Sequence, residues 1–279
     1  MKAHSKIGII GCGNMGSAIA RRLKAHYQLW AFDKDKSKLK NLKSIHIAQN
    51  NIDLVNKVDT VILAVKPQDF DATLREIKNA VDDRLVISIA AGISTAYIKK
   101  ILGKGRVVRI MPNMPAKIGK GLSCLCKGTC ASDEDLAFSQ ELFERMGRSL
   151  IIDENMMNAA TAVSGSGPGY YFDRVEYRLE EYKKNPEKFL KDFNTELMKA
   201  AQHVGFSHQQ AEFLAVTTGT ASNVYLKEIK ISPSEAKKQI TSKRGTTEAG
   251  LEALHKTGGT LIEAVKAALK RAKELAKKE

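Results

Sequence analysis

The sequence predicts an α/β domain built on a doubly wound, mainly parallel sheet, followed by an all-α domain. Up to about residue 155, short and nearly continuous apolar runs alternate with amphipathic stretches of helical period. That alternation is typical of parallel strands covered by helices on both faces. Beyond that point the strand signal stops and alanine-rich amphipathic segments follow. We therefore expect two domains, over 1–155 and 156–279.

The individual elements follow from the same patterns. The predicted strands are 6–10, 28–32, 60–65, 85–88 and 107–111. The clearest helical patterns are 15–25, 70–81 and, in the second domain, 261–276. Pro168, Pro186 and Pro233 divide the second domain into separate helices, because proline suits the first turn of a helix and not its interior.

Composition and charge limit the class of protein. With 43% hydrophobic residues, a chain of 279 residues is able to bury a sizeable core. No apolar stretch reaches the roughly 20 residues that span a bilayer, and Met1–Ser5 lack the apolar run of a signal peptide. The net charge of +14 is spread along the chain without a nucleic-acid motif, which indicates a lysine-rich surface that attracts anionic ligands. We expect a cytoplasmic protein with neither a membrane nor a nucleic-acid partner.

Three of the four cysteines, Cys124, Cys126 and Cys130, are close together in the sequence. A structural zinc ion takes four ligands, and no histidine lies near these three in the sequence. Leu122, Cys124 and Cys126 alternate as in a strand that uses cysteine as a small apolar residue. We therefore predict no metal site.

A glycine-rich turn follows the first predicted strand. Gly11, Gly13 and Gly16 form a GxGxxG pattern between strand and helix, with Asn14 and Met15 inside it. The first glycine permits a tight turn, the second lets a pyrophosphate approach the backbone, and the third allows close packing of helix and strand. Unpaired N–H groups and the positive end of the helix dipole then bind the phosphates. The pattern predicts a dinucleotide-binding Rossmann domain; the alternative is an ordinary glycine-rich turn.

Charged residues after the second predicted strand bear on the choice of cofactor. Asp33 stands where an acidic residue accepts hydrogen bonds from the adenosine ribose. An acid there favours NADH, because a 2′-phosphate would meet its negative charge. Lys34 and Lys36 favour NADPH instead. A charged surface turn explains the same residues, so both cofactors stay open.

Two further turns end predicted strands at the edge where ligands bind in such a fold. Val65, Lys66 and Pro67 close the third strand, and Lys66 is a candidate contact for the cofactor or a catalytic water. Asn113, between two prolines, closes the fifth strand and is a candidate for holding a polar edge of the nicotinamide or the substrate. A surface lysine and a structural turn are the alternatives.

Two segments rich in glycine and hydroxyl groups occur in the second domain. Residues 164–168 precede a helix whose first turn suits Pro168. Within 240–251, Thr246 or Thr247 is expected to cap a helix, where free N–H groups and hydroxyls gather as a site for a substrate carboxylate. Plain capping explains the threonines alone, but it explains the whole run less well.

Taken together, these segments resemble the pyrroline-5-carboxylate reductase family. The matches occur in the family's order and nearly cover the chain: IGIIGCGNMG (7–16), VILAVKP (61–67), SIAAGIS (88–94), RIMPNMP (109–115), TAVSGSGPGYYF (161–172) and GTTEAGLEAL (245–254). The resemblance implies a Rossmann domain followed by a helical dimerisation domain, and hence a homodimer or a higher homo-oligomer. It also implies that Ala90 belongs to the cofactor site.

The resemblance implies an oxidoreductase that uses NADPH or NADH to reduce a C=N bond in the last step of proline synthesis. The substrate is 1-pyrroline-5-carboxylate, a cyclic imine carboxylate, and the product is L-proline. Thr247 is then the catalytic residue, which hydrogen-bonds the imine nitrogen. Ser242 and the backbone N–H groups of Gly245, Thr246 and Thr247 hold the carboxylate. Positioning is the main contribution expected of the protein.

The chain departs from the family pattern in two places. Residues 242–245 read Ser-Lys-Arg-Gly where the family usually has Ser-Pro-Gly-Gly, and a charged extension occupies about 176–192. These departures leave open a changed substrate, such as another cyclic imine, or a non-catalytic dinucleotide-binding sensor or assembly protein. A β-hydroxyacid dehydrogenase is disfavoured, because Tyr171 stands near the place of that class's catalytic lysine and no lysine follows until Lys183.

Overall fold

The computed structural model describes residues 6–256 and 258–276, and the chain divides into two compact units. The first unit contains the chain up to Met111 together with Leu125–Glu154; the second contains Pro112–Cys124 and the chain from Asn155 onwards. The second unit thus takes in a segment that the sequence analysis placed within 1–155. Met1–Ser5, where we expected no signal peptide, lie outside the described residues. Within the described ranges, no helix has the length and hydropathy needed to cross a membrane.

The strands form one mainly parallel sheet. They are β1 (Lys6–Ile10), β2 (Gln28–Phe32), β3 (His46–Ile47), β4 (Thr60–Leu63), β5 (Leu85–Ser88), β6 (Arg106–Pro112), β7 (Gly121–Lys127) and β8 (Gly147–Ile151). Their order in the sheet is β3-β2-β1-β4-β5-β6-β7-β8, and the pairings from β3 to β6 are parallel. The order reverses between β1 and β4, which is the switch point where ligands bind in such sheets.

Helices connect the strands and make up most of the second unit. Up to residue 154 they are α1 (Asn14–Leu23), α2 (Asn51–Asn56), α3 (Pro67–Ile77), α4 (Thr95–Leu102) and α5 (Asp133–Glu144). Later helices are α6 (Met157–Ala160), α7 (Gly167–Tyr177), α8 (Leu179–Lys184), α9 (Pro186–His203), α10 (His208–Ile229), α11 (Pro233–Ile240), α12 (Thr246–Leu254) and α13 (Leu261–Ala276). A 3₁₀ helix at Lys36–Leu39 follows β2, and a π-helical turn at Thr161–Gly165 precedes α7.

The predicted fold class is confirmed, and the differences lie at element bounds and in two short strands. The predicted strand 60–65 ends at Leu63, and the predicted helix 70–81 begins at Pro67, whose ring fits a first turn. The structure adds β3 and β8 to the predicted strands. The two residues of β3 are exposed, and β8 begins with Gly-Arg-Ser and has no fully buried residue, so neither shows the apolar run of a buried strand over its length. The cysteine-containing strand is confirmed as β7.

Apolar side chains from α2 and α3 build much of the core of the first unit. Leu54 on α2 and Phe70, Leu74 and Ile77 on α3 are completely buried in one cluster with side chains of the sheet. The three residues of α3 recur at helical spacing, so one face of the helix is apolar. Burial of each such side chain contributes about 1.5–3 kcal/mol. This packing holds the carboxyl ends of β1 and β4 in fixed positions.

The charged extension folds as part of the helical unit. Asn185 caps α9 with its side chain and Pro186 occupies the first turn, as the sequence indicates. On α9, the rings of Phe189 and Phe193 pack edge-on against Tyr171 of α7, with centroid separations of 6.2 and 5.0 Å. The outward charges form ion pairs one helical turn apart: Arg178–Glu181, Lys183–Glu180 and Lys188–Asp192. The extension is therefore an amphipathic layer with an aromatic inner face.

Candidate functional site

The turn between β1 and α1 has no room for side chains at two of its glycines. Gly11 has a φ of +95°, and a Cβ there would lie 2.7 Å from the carbonyl carbon and oxygen of Ala64. A Cβ at Gly16 would collide with the carbonyl oxygen of Gly11. At Gly13, in contrast, a Cβ would have no described atom within 4 Å. Protein packing therefore explains glycine at 11 and 16, whereas glycine at 13 keeps the backbone open to a ligand.

The first turn of α1 offers backbone N–H groups for an anion. Its N-cap is Gly13, which makes no side-chain capping bond, and the first helical hydrogen bond runs from Ser17 N–H to Gly13 O at 3.0 Å. The N–H groups of Asn14, Met15 and Gly16 precede that bond, so helix geometry provides them with no acceptor. With the positive end of the helix dipole they fit the pyrophosphate of a dinucleotide.

A crevice of about 430 Å³ opens beside this turn at the carboxyl ends of β1, β2 and β4. Its lining includes six residues predicted for the cofactor site: Gly11, Gly13, Asp33, Lys34, Val65 and Lys66. Pro67, also predicted for the cofactor site, is outside this lining and is the first residue of α3, next to Lys66. Ala90, beyond β5, is buried in the core cluster. The crevice lies at the switch point of the sheet, where dinucleotides bind in this architecture.

Asp33 uses its carboxylate to fix the glycine turn. Oδ2 accepts the N–H of Cys12 at 2.7 Å and Oδ1 accepts the N–H of Asp35 at 2.9 Å, and the residue is only 7% exposed. Lys38 Nζ lies 3.2 Å from Oδ1 and 3.4 Å from Oδ2. These contacts use the roughly four lone-pair sites of the carboxylate, so Asp33 accepts a ribose hydroxyl only in place of its longer contact with Lys38. Its negative charge is nevertheless partly offset by the ammonium group of Lys38.

Two lysines line the crevice, and they are not the pair that the sequence suggested. Lys34 and Lys38 belong to the lining, and Lys34 Nζ is 2.5 Å from Asp69 Oδ1. Lys36 is exposed, and the described lining does not include it. Sequence reasoning missed Lys38. The available signal was Asp35, whose side chain caps the 3₁₀ helix and turns the chain back so that Lys38 faces Asp33.

Asn51 is a second lining residue that sequence reasoning missed. It is 7% exposed, and its Nδ2 donates to Glu76 Oε2 at 2.7 Å. Its Oδ1 is buried and has no hydrogen-bond partner among the described residues. An unpaired buried acceptor is costly, and a donor from a bound ligand would satisfy it. The adjacent Asn50 caps α2, which conceals the role of Asn51 in the sequence.

The thiol of Cys12 is chemically inert in this setting. Burial, followed by the negative charge of Asp33, raises the pKa of Cys12 to about 12. The thiol therefore stays protonated and is no nucleophile at neutral pH. Across residues 6–256 and 258–276, no three His, Cys, Asp or Glu side chains are grouped as metal ligands. The chemistry of the first unit is thus that of an anion-binding turn and charged crevice walls.

The second unit brings three hydroxyl groups together. Ser166, at the start of α7, has its Oγ 3.1 Å from Thr246 Oγ1, and Thr247 Oγ1 donates to the same oxygen at 3.2 Å. Ser166 is fully buried and Thr247 is 5% exposed. Sequence reasoning named the threonines but not Ser166 as a site residue. The sequence signal for it was the Gly-Ser-Gly-Pro run. In the structure a π-helical turn precedes α7, and such turns are frequent at functional sites.

The prediction that Thr246 or Thr247 caps α12 is wrong. Gly245 is the N-cap and makes no side-chain capping bond, because both threonine hydroxyls turn towards Ser166. The N–H of Gly245 donates to Ser242 O at 2.9 Å and is already used. The free donors are therefore the N–H groups of Thr246, Thr247 and Glu248, since the first bond within the helix joins Ala249 N–H to Gly245 O.

The other predicted site residues in this unit have defined partners. Ser242 is exposed, and its Oγ occupies the space that a Cβ on Gly245 would need. Asn113 is 2% exposed and belongs to this unit. Its Nδ2 donates to Ser164 O at 3.3 Å, and its Oδ1 accepts Leu122 N–H at 2.8 Å. Both ends of the amide therefore stabilise the turn, and a contact with a ligand stays a prediction.

Arg244 adopts the left-handed conformation that glycine favours. Its φ is +57°, which costs a non-glycine residue about 1–2 kcal/mol. Its N–H donates to Glu248 Oε2 at 2.5 Å, and its carbonyl accepts Arg271 Nε at 2.8 Å. These two bonds hold the loop before α12 in its turn, although Arg244 stands where the family pattern has the first of its two glycines.

Comparison with known proteins gives consistent results for both halves of the chain. Residues 6–92 match the family model for NADP oxidoreductase, coenzyme F420-dependent, and residues 189–275 match that for pyrroline-5-carboxylate reductase dimerisation. The chain is 33% identical to the pyrroline-5-carboxylate reductase of Methanosarcina acetivorans over 99% of both chains. It is similar in structure to the Coxiella burnetii reductase (28% identity, TM-score 0.66, 99% of each chain). It also resembles Plasmodium falciparum pyrroline carboxylate reductase with NADP bound (26%, TM-score 0.63, 98% of this chain and 99% of that one).

Two variants distinguish a glycine that is needed for ligand binding, Gly13, from one that is needed for protein packing, Gly16. Gly13→Glu should abolish binding of a reduced nicotinamide dinucleotide, because its charge and bulk oppose the pyrophosphate. The melting temperature should change little, because a Cβ at this position has no described atom within 4 Å. Gly16→Ala should lower the free energy of unfolding by about 1–3 kcal/mol, because the methyl group meets the Gly11 carbonyl. Cofactor fluorescence and urea denaturation measure the two effects. Unchanged affinity in Gly13→Glu would reject the assignment of the glycine turn.

Proposed function

The chain belongs to the pyrroline-5-carboxylate reductase family, and we propose that it reduces 1-pyrroline-5-carboxylate to L-proline with NADPH or NADH. The observation that carries this proposal is the hydroxyl cluster of Ser166, Thr246 and Thr247 at the open first turn of α12. A cyclic imine carboxylate needs an anion site and a hydrogen-bonding group for its ring nitrogen. The first turn and the hydroxyls offer both.

The first unit holds the cofactor in this proposal. N–H groups of Asn14, Met15 and Gly16 bind the pyrophosphate, and Asn51 and Asp33 accept hydrogen bonds from the nucleoside portion. Val65, Lys66, Pro67 and Ala90 complete the proposed cofactor site. Bound NAD(P)H supplies the hydride that the imine carbon receives. The protein supplies position and charge, and no group of this unit exchanges a proton.

The second unit holds and orients the imine. The N–H groups of Thr246, Thr247 and Glu248 and the dipole of α12 bind the carboxylate, and Ser242 borders the same turn. The Thr247 hydroxyl hydrogen-bonds the ring nitrogen, and Ser166 sets the direction of that hydroxyl. A neutral hydroxyl is a weak acid, so Thr247 orients the ring or a water molecule that delivers the proton. The carbon thus gains a hydride and the nitrogen a proton.

The walls of the crevice support NADPH as the preferred cofactor. Lys38 offsets the charge of Asp33, and Lys34 lies on the same wall. A 2′-phosphate next to the ribose site would therefore meet two ammonium groups near a partly neutralised carboxylate. NADH gains less from the two ammonium groups, because its 2′-hydroxyl is uncharged and needs only an acceptor. We therefore propose that both cofactors react and that NADPH has the lower KM.

The proposal also covers the roles of the two domains, the oligomeric state and the location of the protein. Residues 1–155 act as the dinucleotide-binding domain and 156–279 as the helical dimerisation and substrate domain. The match of residues 189–275 to the dimerisation family supports a homodimer or a higher homo-oligomer formed through the helical region. The proposed location is the cytoplasm, and no nucleic-acid partner is proposed.

Turnover distinguishes the enzyme from a non-catalytic dinucleotide-binding protein. Purified protein with NADPH and 1-pyrroline-5-carboxylate should consume the reduced nicotinamide and form proline. Thr247→Ala should lower kcat/KM about 10–100-fold with the fold intact, because one hydrogen bond to the reacting ring is lost. Thr247→Ser retains the hydroxyl and is the matched control. Binding without turnover favours a sensor, faster reduction of a six-membered imine favours a changed substrate, and a wild-type rate in Thr247→Ala removes Thr247 from the mechanism.

The cofactor preference is testable with one lysine variant. Lys38→Met should raise the KM for NADPH about tenfold, because a charge-assisted contact is lost and the charge of Asp33 is uncovered. The KM for NADH should change by less than about twofold, since a 2′-hydroxyl carries no charge. Lys36→Met, at an exposed lysine outside the described lining, is the control. Equal effects of Lys38→Met on both cofactors would contradict the proposed preference.

A further inference from the structure

The helical unit contains a buried carboxylate that the proposed reaction does not use. Asp173, on α7, is 3% exposed. Its Oδ1 lies 2.8 Å from Lys237 Nζ on α11, and its Oδ2 lies 2.9 Å from His255 Nε2 at the end of α12. Each oxygen thus binds a different helix, so this one side chain joins α7 to two other helices.

Those two helices carry the proposed substrate segment between them. The loop 241–245 leaves α11 and enters α12, whose first turn contains Thr246 and Thr247. Lys237 lies one turn before the end of α11, and its carbonyl accepts the N–H and the hydroxyl of Thr241 at 3.0 and 2.8 Å. His255 is the C-cap of α12. Asp173 therefore anchors the loop through the helix on either side of it.

The same stretch of α7 also packs closely against α12. A Cβ on Gly169 would lie 2.5 Å from Thr247 Cγ2, and one on Gly250 would collide with the ring of Tyr170. Glycine at both positions lets the two helices approach at the level of the hydroxyl cluster. Close packing of this kind leaves little tolerance for sliding along the helix axis. The position of α12 along α7 thus decides where Thr247 stands relative to Ser166.

The buried ion pair of Asp173 with Lys237 is better suited to fixing the positions of the helices than to stabilising the fold. Burial lowers the pKa of Lys237, but hydrogen bonds to Asp173 and Glu176 outweigh it and leave that pKa above its ordinary value. The ammonium group also lies 5.4 Å from the ring centroid of Tyr177, which contacts the His255 ring edge-on. A buried ion pair adds little net stability, because desolvation offsets its attraction; its best-attested use is to fix register.

We propose that Asp173 is a positioning residue for substrate binding, which sets the register of the α11–α12 hairpin on α7 and so places Thr246 and Thr247 against Ser166. This inference rests on the proposed function of the loop 241–247. Asp173 touches no substrate in this scheme. Its effect reaches the substrate only through Lys237 and His255.

The isosteric variant Asp173→Asn tests the proposal in the full-length protein. The KM for the imine should rise about tenfold or more while the KM for NADPH stays within about twofold, because only the substrate segment shifts. Asp192→Asn, which breaks the exposed Lys188–Asp192 pair on α9, is the matched control and should leave both values unchanged. A merely structural role would lower stability and leave the two KM values in their original ratio, and that result overturns the proposal.

Amide hydrogen exchange supplies a readout that does not depend on turnover. Asp173→Asn should speed exchange over 241–248 and leave α10 as protected as in the wild type. If the wild-type protein reduces no imine, the proposed function fails, and exchange still decides whether Asp173 holds the loop. Unchanged exchange in a variant with intact circular dichroism contradicts the proposed register.

Milder variants cover the case in which Asp173→Asn does not fold. Lys237→Met and His255→Gln each remove one of the two partners and should each raise the KM for the imine. Adding either change to Asp173→Asn should cause no further rise, since the interaction is already broken. If the effects multiply as independent changes, the three residues do not act as one unit and the proposal is wrong.

Discussion

The turn from β1 into α1 passes so close to the end of β4 that no side chain fits between them, and the cofactor site depends on this constraint. Gly11 can adopt a φ of +95° and fit against Ala64 because it has no Cβ. Gly16, for the same reason, lets the helix approach the carbonyl of Gly11. Asp33 then fixes the turn from the other side by accepting the N–H of Cys12. With the backbone fixed at these three points, the turn that borders the crevice leads into the first turn of α1 without a side-chain cap on its N–H groups.

The two proposed half-sites are built in the same way, although they lie in different units. Helices α1 and α12 both begin at a glycine N-cap that makes no side-chain capping bond. In contrast, α5, α10 and α11 begin with serine capping boxes, at Ser132, Ser207 and Ser232. A serine cap satisfies N–H groups that would otherwise be free, and a glycine cap leaves them for a ligand. The first turns of α1 and α12 therefore leave N–H groups available to an anion, whereas the three serine-capped helices use theirs within the fold.

Much of the fold was predictable because its signals are local. The strands β1, β2 and β5 are continuous apolar runs, and the glycine pattern requires only its own strand and helix. Residues whose role depends on how the chain turns, or on a distant partner, gave weaker signals. Lys38 faces Asp33 because of a 3₁₀ helix, and Ser166 meets Thr247 across 81 positions of sequence. The capping of α12 was mispredicted for the same reason, since the threonine hydroxyls bond to a serine on another helix and not to their own backbone.

Both departures from the family pattern, the charged extension and the loop that contains Arg244, belong to segments that are linked to α7. Phe189 of the extension and Phe193 just beyond it pack against Tyr171, and the bidentate pair of Arg174 with Glu196 adds a second link between α7 and α9. Two residues beyond Tyr171, the same helix directs Asp173 towards α11 and α12. α7 is therefore held by aromatic packing on one side and by buried charge on another, while its first residues carry the site. Arg244 keeps its strained turn because its N–H is bonded to Glu248 of α12 and its carbonyl to Arg271 of α13, and α12 is tied to α7 through Asp173.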